Sequence, residues 1–368
     1  MGNTITIQLQ EQFFQEREKT LLELEGLSAS LFRYENGVCG LRLKNSCGQL
    51  VMLPFQGQQI WQCEFGGRDL VMKSMFQHPV PTRDYLSTYG AFLVHCGATA
   101  MGVPSKDDTH PLHGELPNAL YQKAYLQAGH DEGRAFIALG GQYEHIVAFN
   151  YHYVFEPLVK LYADSSVFPV SATLSNLKQT EMEIMYLAHV NFRPSDYGRI
   201  VCSAPCTPEH TRVSINVPKH MKSSHSLEEF SAFLNTLKEH PEKHLTLTPD
   251  LLLDPEVLFF IDYSADSEGY AHSLHVQPDG YAHFLKHRVA ELNKGVRWIA
   301  RNADQDALGL YLPGTAEHQG YIAEKEKGNL RLLQGGESIE FSLEAGLLTP
   351  QAAAQEEKII ADILSAAQ

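Results

Sequence analysis

The chain has 368 residues, of which 43% are hydrophobic and 20% are charged, a composition typical of a globular protein with a large core. Its formal net charge is −15, whereas proteins that bind nucleic acids or anionic membrane surfaces normally carry a basic face. The charge therefore argues against both of these partners.

Two further features bear on the cellular compartment. The amino-terminal segment lacks the apolar core of a secretory signal, and no apolar run approaches the length of a membrane span. The six cysteines form no Cys-x-x-Cys pair, and reduced thiols in a reducing compartment account for them. We therefore expect a cytoplasmic protein.

Short apolar runs separated by turn residues dominate the chain from Ser28 onwards. Asn-Gly and other glycine-rich dipeptides between such runs are typical of successive antiparallel strands. Apolar and polar residues alternate imperfectly, which indicates strands buried on both faces, as in stacked sheets. We expect strands within residues 29–34, 38–44, 49–55, 58–65, 68–76, 134–155, 166–177 and 182–192.

Helical patterns are few. Residues 9–25 have a weak amphipathic pattern, whereas residues 226–243 start with Ser226 and Glu229, the spacing of a capping box. A carboxy-terminal helix is predicted over residues 350–368. The repeated Gly-Tyr-Ala-His within residues 269–283 predicts a hairpin that turns at Pro-Asp-Gly. We expect a single domain over residues 1–368, with residues 1–27 as a peripheral segment.

The densest chemical pattern is the segment with His110, His113 and Glu115. Imidazole and carboxylate groups are ligands of zinc, iron or manganese, so a metal site is one hypothesis. Pro111 and Gly114 exclude a helix that would aim both histidines the same way. A structural histidine pair is the alternative.

Several motifs follow one another in the order found in a known family. They are Gln59-Ile60-Trp61, residues 88–97, Leu112-His113-Gly114, residues 140–145 and the run from Tyr186 to Phe192, which contains His189 and Asn191. Across residues 59–347 the ordered set resembles the aldose 1-epimerase (galactose mutarotase-like) family, and especially a poorly characterised branch of it.

The resemblance implies a mostly β protein, a β-supersandwich of large antiparallel sheets with a few peripheral helices. It also implies the interconversion of the anomers of a free sugar by acid–base ring opening. His189 is then the general acid and His113 a second polar contact to the sugar. Neither role requires a metal or an organic cofactor.

The resemblance does not extend to the catalytic base. The family has a glutamate on a late strand, and the matching position here is occupied by Leu312. Asp304, Asp306 and Glu317 are nearby in the sequence and could replace it. A sugar-binding protein without catalytic activity is therefore a further hypothesis. A metal-dependent sugar isomerase that uses His110, His113 and Glu115 is another.

Other residues are candidates for holding the sugar. Asn191 shares a strand face with His189, because side chains repeat every second residue. Trp61 could stack on a sugar, although a buried aromatic in the core is the simpler interpretation. Arg68 and Arg193 could bind hydroxyl groups or be structural, and the resemblance places Asp262 in a polar loop near the sugar.

Overall fold

The computed structural model describes residues 4–215 and 223–367. Strands β1 to β11 span Ile5–Leu9, Lys19–Leu24, Leu27–Arg33, Cys39–Lys44, Gly48–Met52, Ile60–Phe65, Arg68–Asp69, Leu93–Ala98, Lys123–Asp131, Arg134–Val147 and Tyr151–Tyr162. Strands β12 to β22 span Val167–Asn176, Met182–Val190, Arg199–Cys202, Thr211–Val213, Val257–Ile261, Tyr270–Val276, Ala282–Arg288, Lys294–Arg301, Asp306–Gly314, Arg331–Leu333 and Ser338–Leu348. Helices α1, α2 and α3 span Leu227–Glu239, Tyr321–Glu326 and Pro350–Ala366.

These strands form two large antiparallel sheets. The nine-stranded sheet has the order β1-β9-β10-β11-β12-β22-β18-β17-β14. The thirteen-stranded sheet has the order β15-β16-β19-β20-β13-β8-β6-β5-β4-β3-β2, with β21 paired to β13 and β7 paired to β6. The architecture confirms the prediction of a mostly β protein built from large antiparallel sheets with few helices.

Aromatic side chains from both sheets form the core between them. Tyr186 of β13 stacks on Phe341 of β22 with the ring centroids 4.4 Å apart, and Phe65 of β6 stacks on Phe168 of β12 at 5.9 Å. Because side chains alternate along a strand, the residue after Tyr186 faces away from the second sheet. Strand β13 nevertheless has eight of its nine residues buried, so its outer face is covered as well.

The predicted helices had different outcomes. The capping box is confirmed, because the Ser226 hydroxyl accepts from the Glu229 N–H at 3.2 Å and the Glu229 carboxylate accepts from the Ser226 N–H at 3.1 Å. Helix α3 is also confirmed, with Thr349 as its N-cap. The weak helix over residues 9–25 was wrong, because β2 lies there and is hydrogen-bonded to β3. The pairing of the backbone outweighs a weak local preference.

Two strand predictions also had different outcomes. The hairpin is confirmed, because β17 pairs with β18 and His275 lies opposite His283. The prediction of a long strand over residues 68–76 was wrong, because Arg68–Asp69 is the only part of this stretch that forms a named strand.

None of the helices in the described part of the chain has the length and apolar character of a membrane span.

Several histidines lie buried in the sheets in their neutral form. Burial lowers the pKa of His95 and of His287 to about 3 and the pKa of His275 to about 4. In the unfolded chain a histidine has a pKa of about 6.5. Below that pH the unfolded state therefore binds more protons than the folded state, and the stability of the folded state falls as the pH falls.

We predict that the free energy of unfolding decreases between pH 7 and pH 5, because each such histidine contributes a slope of up to about 1.4 kcal/mol per pH unit. His95→Gln should reduce this slope, since glutamine can keep the hydrogen bond to Tyr186 (2.8 Å in the native chain) without titrating. Denaturant unfolding at pH 7 and at pH 5 measures the change in the free energy of unfolding. The exposed His78→Gln is the control, and equal slopes in all three proteins would contradict the assigned role of burial.

Candidate functional site

A cavity of about 480 Å³ lies on the outer face of the thirteen-stranded sheet, a size common for small-molecule sites. Strands of this sheet form its floor, and residues of the connecting segments form its walls. Its lining residues are Tyr85, Leu86, Tyr89, Val103, Pro104, Leu112, His113, Leu187, His189, Glu256, Leu258, Val296, Trp298, Gln305, Leu312 and His318.

The alternation of side chains places the floor residues. Leu187 and His189 are two residues apart on β13, so both face the cavity while Tyr186 faces the other sheet. On the neighbouring strands, Val296 lies opposite Leu312. Trp298 lies opposite Leu258 in the same way. The adjacent strands β16, β19, β20 and β13 therefore contribute to one continuous surface.

Backbone geometry holds His113 in the wall of the cavity. Its N–H donates to the Gly102 carbonyl at 2.9 Å, and its own carbonyl accepts from the Gly97 N–H at 2.9 Å. His113 has a left-handed φ of 60°, and Gly114 follows with a φ of 82°. A Cβ atom at Gly114 would lie 2.2 Å from the Ala100 carbonyl oxygen, so only glycine fits this close approach.

The best-defined polar contact of the site joins His189 to Asn191. The Asn191 side-chain amide donates to the Ala91 carbonyl at 3.0 Å, which leaves its Oδ1 atom as an acceptor for His189 Nδ1 at 2.7 Å. Burial lowers the pKa of His189 to about 4, although the bond to Asn191 opposes this shift. His189 is therefore neutral near pH 7, with its proton on Nδ1 and an unprotonated Nε2 atom.

Aromatic rings surround this imidazole. The ring centroids of Tyr89, Trp298 and His113 lie 5.8, 5.5 and 5.4 Å from that of His189, each in an edge-to-face arrangement. The Tyr89 hydroxyl lies 3.5 Å from His189 Nε2. These rings exclude water from His189 and leave the Nε2 side next to the cavity.

Glu256 brings a carboxyl group to the same cavity, and sequence reasoning missed it. It lies just before β16, and the Trp298 indole N–H donates to its Oε2 atom at 2.7 Å. Trp298 in turn contacts His189, so the carboxylate and the imidazole are linked through one aromatic ring. The alternation of Glu256, Leu258 and Phe260 before and within a strand was the only signal for this placement.

His318 was missed as well. It lines the cavity, stacks on Phe260 at 5.5 Å, and burial lowers its pKa to about 4. Burial also holds the pKa of His113 well below its usual range, and the neighbouring His189 and His318 add to this effect. The site therefore contains several neutral imidazoles.

Leu312 lies in the floor of the cavity, at the position where the family resemblance leads one to expect a glutamate. Two of the three proposed replacements for that glutamate are engaged elsewhere. Asp306 accepts from Arg301 at 2.7 Å, and Glu317 accepts from Lys327 at 2.6 Å. Asp304, Asp306 and Glu317 are not among the residues that line the cavity, which disfavours them as the base.

Two of the predicted sugar-binding residues have other partners. Arg68 donates to Gln277 at 2.7 Å and is paired with Asp279. Asp262 forms an ion pair with Arg212.

Trp61 and Arg193 line a separate pocket of about 300 Å³. Asn191 alone of these predicted contacts touches the site, through His189.

The three proposed metal ligands do not lie in the same cavity. The Glu115 carboxylate accepts from the Thr99 N–H at 3.0 Å and from the Tyr153 hydroxyl at 2.6 Å. It lines a second pocket of about 510 Å³ together with His110, whereas His113 belongs to the first cavity. In residues 4–215 and 223–367 no three His, Cys, Asp or Glu side chains are grouped to hold a metal ion.

Comparison with protein families gives one match, which covers residues 35–347 and is described as a domain of unknown function, DUF4432. The chain belongs to the DUF4432 family. No curated protein matches this DUF4432 protein.

Solved structures resemble the DUF4432 chain in fold. A protein from Klebsiella pneumoniae, provisionally assigned as an aldose 1-epimerase, has a TM-score of 0.80 at 15% identity, over 99% of this chain and 96% of its own. A galactose mutarotase-like protein from Clostridium acetobutylicum has a TM-score of 0.56 at 12% identity, over 89% and 100%. One from Lactobacillus casei has a TM-score of 0.54 at 14% identity, over 84% and 100%. The fold is that of the galactose mutarotase-like proteins.

We predict that Asn191→Asp raises the pKa of His189, because a carboxylate in place of the amide oxygen stabilises the imidazolium form. The titration of His189 followed by NMR measures this pKa. Asn150→Asp, which adds the same charge in the exposed turn after β10, should leave it unchanged. An unchanged pKa in Asn191→Asp would contradict the assigned contact.

Proposed function

We propose that this protein interconverts the anomers of an unphosphorylated sugar bound in the cavity. The observation that carries the proposal is the neutral His189, whose Nδ1 proton is bonded to Asn191 and whose unprotonated Nε2 atom lies beside the cavity. Such an atom can accept a proton from a hydroxyl group. Glu256 and the ring of Trp298 lie in the same cavity and supply further contacts for a sugar.

The reaction requires one proton to move between two oxygen atoms on the same carbon. His189 Nε2 accepts the proton of the anomeric hydroxyl, the bond from C1 to the ring oxygen breaks, and C1 becomes an aldehyde. The imidazolium then gives the proton to the ring oxygen. After rotation about C1–C2, the same steps in reverse close the ring with the opposite configuration.

This assignment differs from the role of general acid that the family resemblance implies for His189. A ring with a pKa of about 4 is unprotonated at neutral pH and can accept a proton. Once protonated, it is a stronger acid than an ordinary imidazolium and releases its proton readily. We propose that the carboxylate of Glu256 stabilises the imidazolium while it exists, since an opposite charge in a poorly solvated cavity favours the charged form.

The charge of the lining supports a neutral substrate. Among the described residues that line the cavity there is no lysine or arginine. A sugar phosphate is normally held by such a basic group.

Sugar binding without turnover is the second candidate function. It is favoured by Leu312, which puts an apolar side chain where the family resemblance leads one to expect a base. It is also favoured by the low pKa of His189, because a base with a pKa far below the working pH is a weak catalyst.

We predict that the protein accelerates anomeric exchange of at least one free sugar, measured by NMR exchange spectroscopy on a panel of aldoses and ketoses. His189→Gln should lower the acceleration by roughly 10²- to 10⁴-fold, the usual contribution of a proton-transfer group. Glu256→Gln, which keeps an acceptor for the Trp298 N–H, should lower it less. The surface variant His78→Gln should match the wild type.

Each outcome of this experiment separates the candidates. Exchange that depends on His189 supports the enzyme. A sugar that binds to the wild type without accelerated exchange supports the binding protein instead. Acceleration that is unchanged in His189→Gln would contradict the proposed role of that residue.

A further inference from the structure

Four adjacent strands each place an apolar side chain in the floor of the cavity. These side chains are Leu258 of β16, Val296 of β19, Leu312 of β20 and Leu187 of β13. Leu187, Val296 and Leu312 are between 0% and 2% exposed. None of these side chains can donate or accept a hydrogen bond.

Polar groups come from other residues of the lining, one of which, His189, lies on the floor two residues from Leu187. Imidazoles come from His113, His189 and His318, and the remaining polar side chains are Glu256, Gln305 and two tyrosines. The imidazole of His189 is already engaged at Nδ1. A sugar in this cavity therefore meets hydrogen-bonding groups at some of its carbons and hydrocarbon at those that rest on the leucine and valine side chains.

This division has a consequence for the substrate. A fully hydroxylated sugar carries a hydroxyl group on nearly every carbon, and a hydroxyl that faces the leucine floor loses its hydrogen bonds to water without replacement. A methyl or methylene group at the same place gains free energy by leaving water. The floor therefore discriminates against a hydroxyl at the carbon that it contacts.

We propose that the substrate is a deoxy sugar, whose deoxygenated carbon packs against Leu187, Val296 and Leu312. This inference rests on the proposed function, because it concerns the sugar in the same cavity. The proposal makes Leu312 a residue that determines specificity. Where the family resemblance leads one to expect a polar glutamate, Leu312 offers the sugar an apolar contact.

Pairs of sugars that differ in a single hydroxyl group test the proposal on the wild-type protein. Suitable pairs are D-galactose with 6-deoxy-D-galactose, D-glucose with 6-deoxy-D-glucose, L-mannose with L-rhamnose, and D-glucose with 2-deoxy-D-glucose. We expect the deoxy member of at least one pair to bind about tenfold more tightly or better, because an unpaired buried hydroxyl is costly. Ligand-observed NMR gives the affinities, and exchange spectroscopy on the same samples gives turnover.

A substitution at Leu312 provides the second arm. Leu312→Asn places a donor and an acceptor in the floor and should shift the preference by about tenfold towards the hydroxylated member of that pair. Leu312→Met, which keeps the volume and the apolar character, should preserve the preference of the wild type.

The outcomes keep the two proposals apart. A deoxy preference in binding without accelerated exchange supports the deoxy substrate and overturns the enzymatic function. Accelerated exchange with equal or better binding of the hydroxylated member in every pair overturns the deoxy proposal and leaves the enzymatic function standing. If no sugar of the panel binds, both are overturned.

Discussion

The hydrogen bond from His189 Nδ1 to Asn191 Oδ1, 2.7 Å long, determines what the cavity can do chemically. Asn191 has its own orientation fixed by the bond to the Ala91 carbonyl and by its backbone N–H, which donates to Phe92. Because the amide can only accept at Oδ1, the imidazole must carry its proton on Nδ1. The proton-accepting atom is then the one that lies beside the cavity.

Strand β13 connects this site to the rest of the fold. Its alternation sends Tyr186 into the core, where it stacks on Phe341, and sends His189 into the cavity. Burial makes the neutral form of the imidazole the stable one, because an unpaired charge is costly in a poorly solvated environment. The same two sheets that stabilise the fold thus set the protonation state of the candidate catalytic group.

The parts of the site that follow from local pattern could be predicted from the sequence. Asn191 beside His189 follows from the two-residue repeat of a strand, and His113 follows from a motif that needs Gly114 next to it. Glu256 and His318 could not be predicted, because they reach the cavity from parts of the chain that are distant in sequence. Only the pairing of β16 with β19 brings Glu256 to Trp298.

The same limit applies to the fold and to the ion pairs. The capping box of α1 is local and was predicted, whereas the amphipathic pattern over residues 9–25 gave way to pairing with β3. Asp306 was a reasonable candidate base from its position in the sequence. Its partner Arg301 lies on the neighbouring strand and occupies its carboxylate, and the sequence alone does not reveal such a pairing.

The pH dependence of anomeric exchange tests most directly whether neutral His189 is the reacting form. If Nε2 accepts the anomeric proton, the enzyme-dependent rate is constant from about pH 8 to about pH 5.5 and falls only as the pH approaches the pKa of about 4, where the ring becomes protonated. An enzyme-dependent rate that instead rises about tenfold for each unit of falling pH would identify the imidazolium as the reacting form. That result would contradict the role of neutral His189 as the proton acceptor.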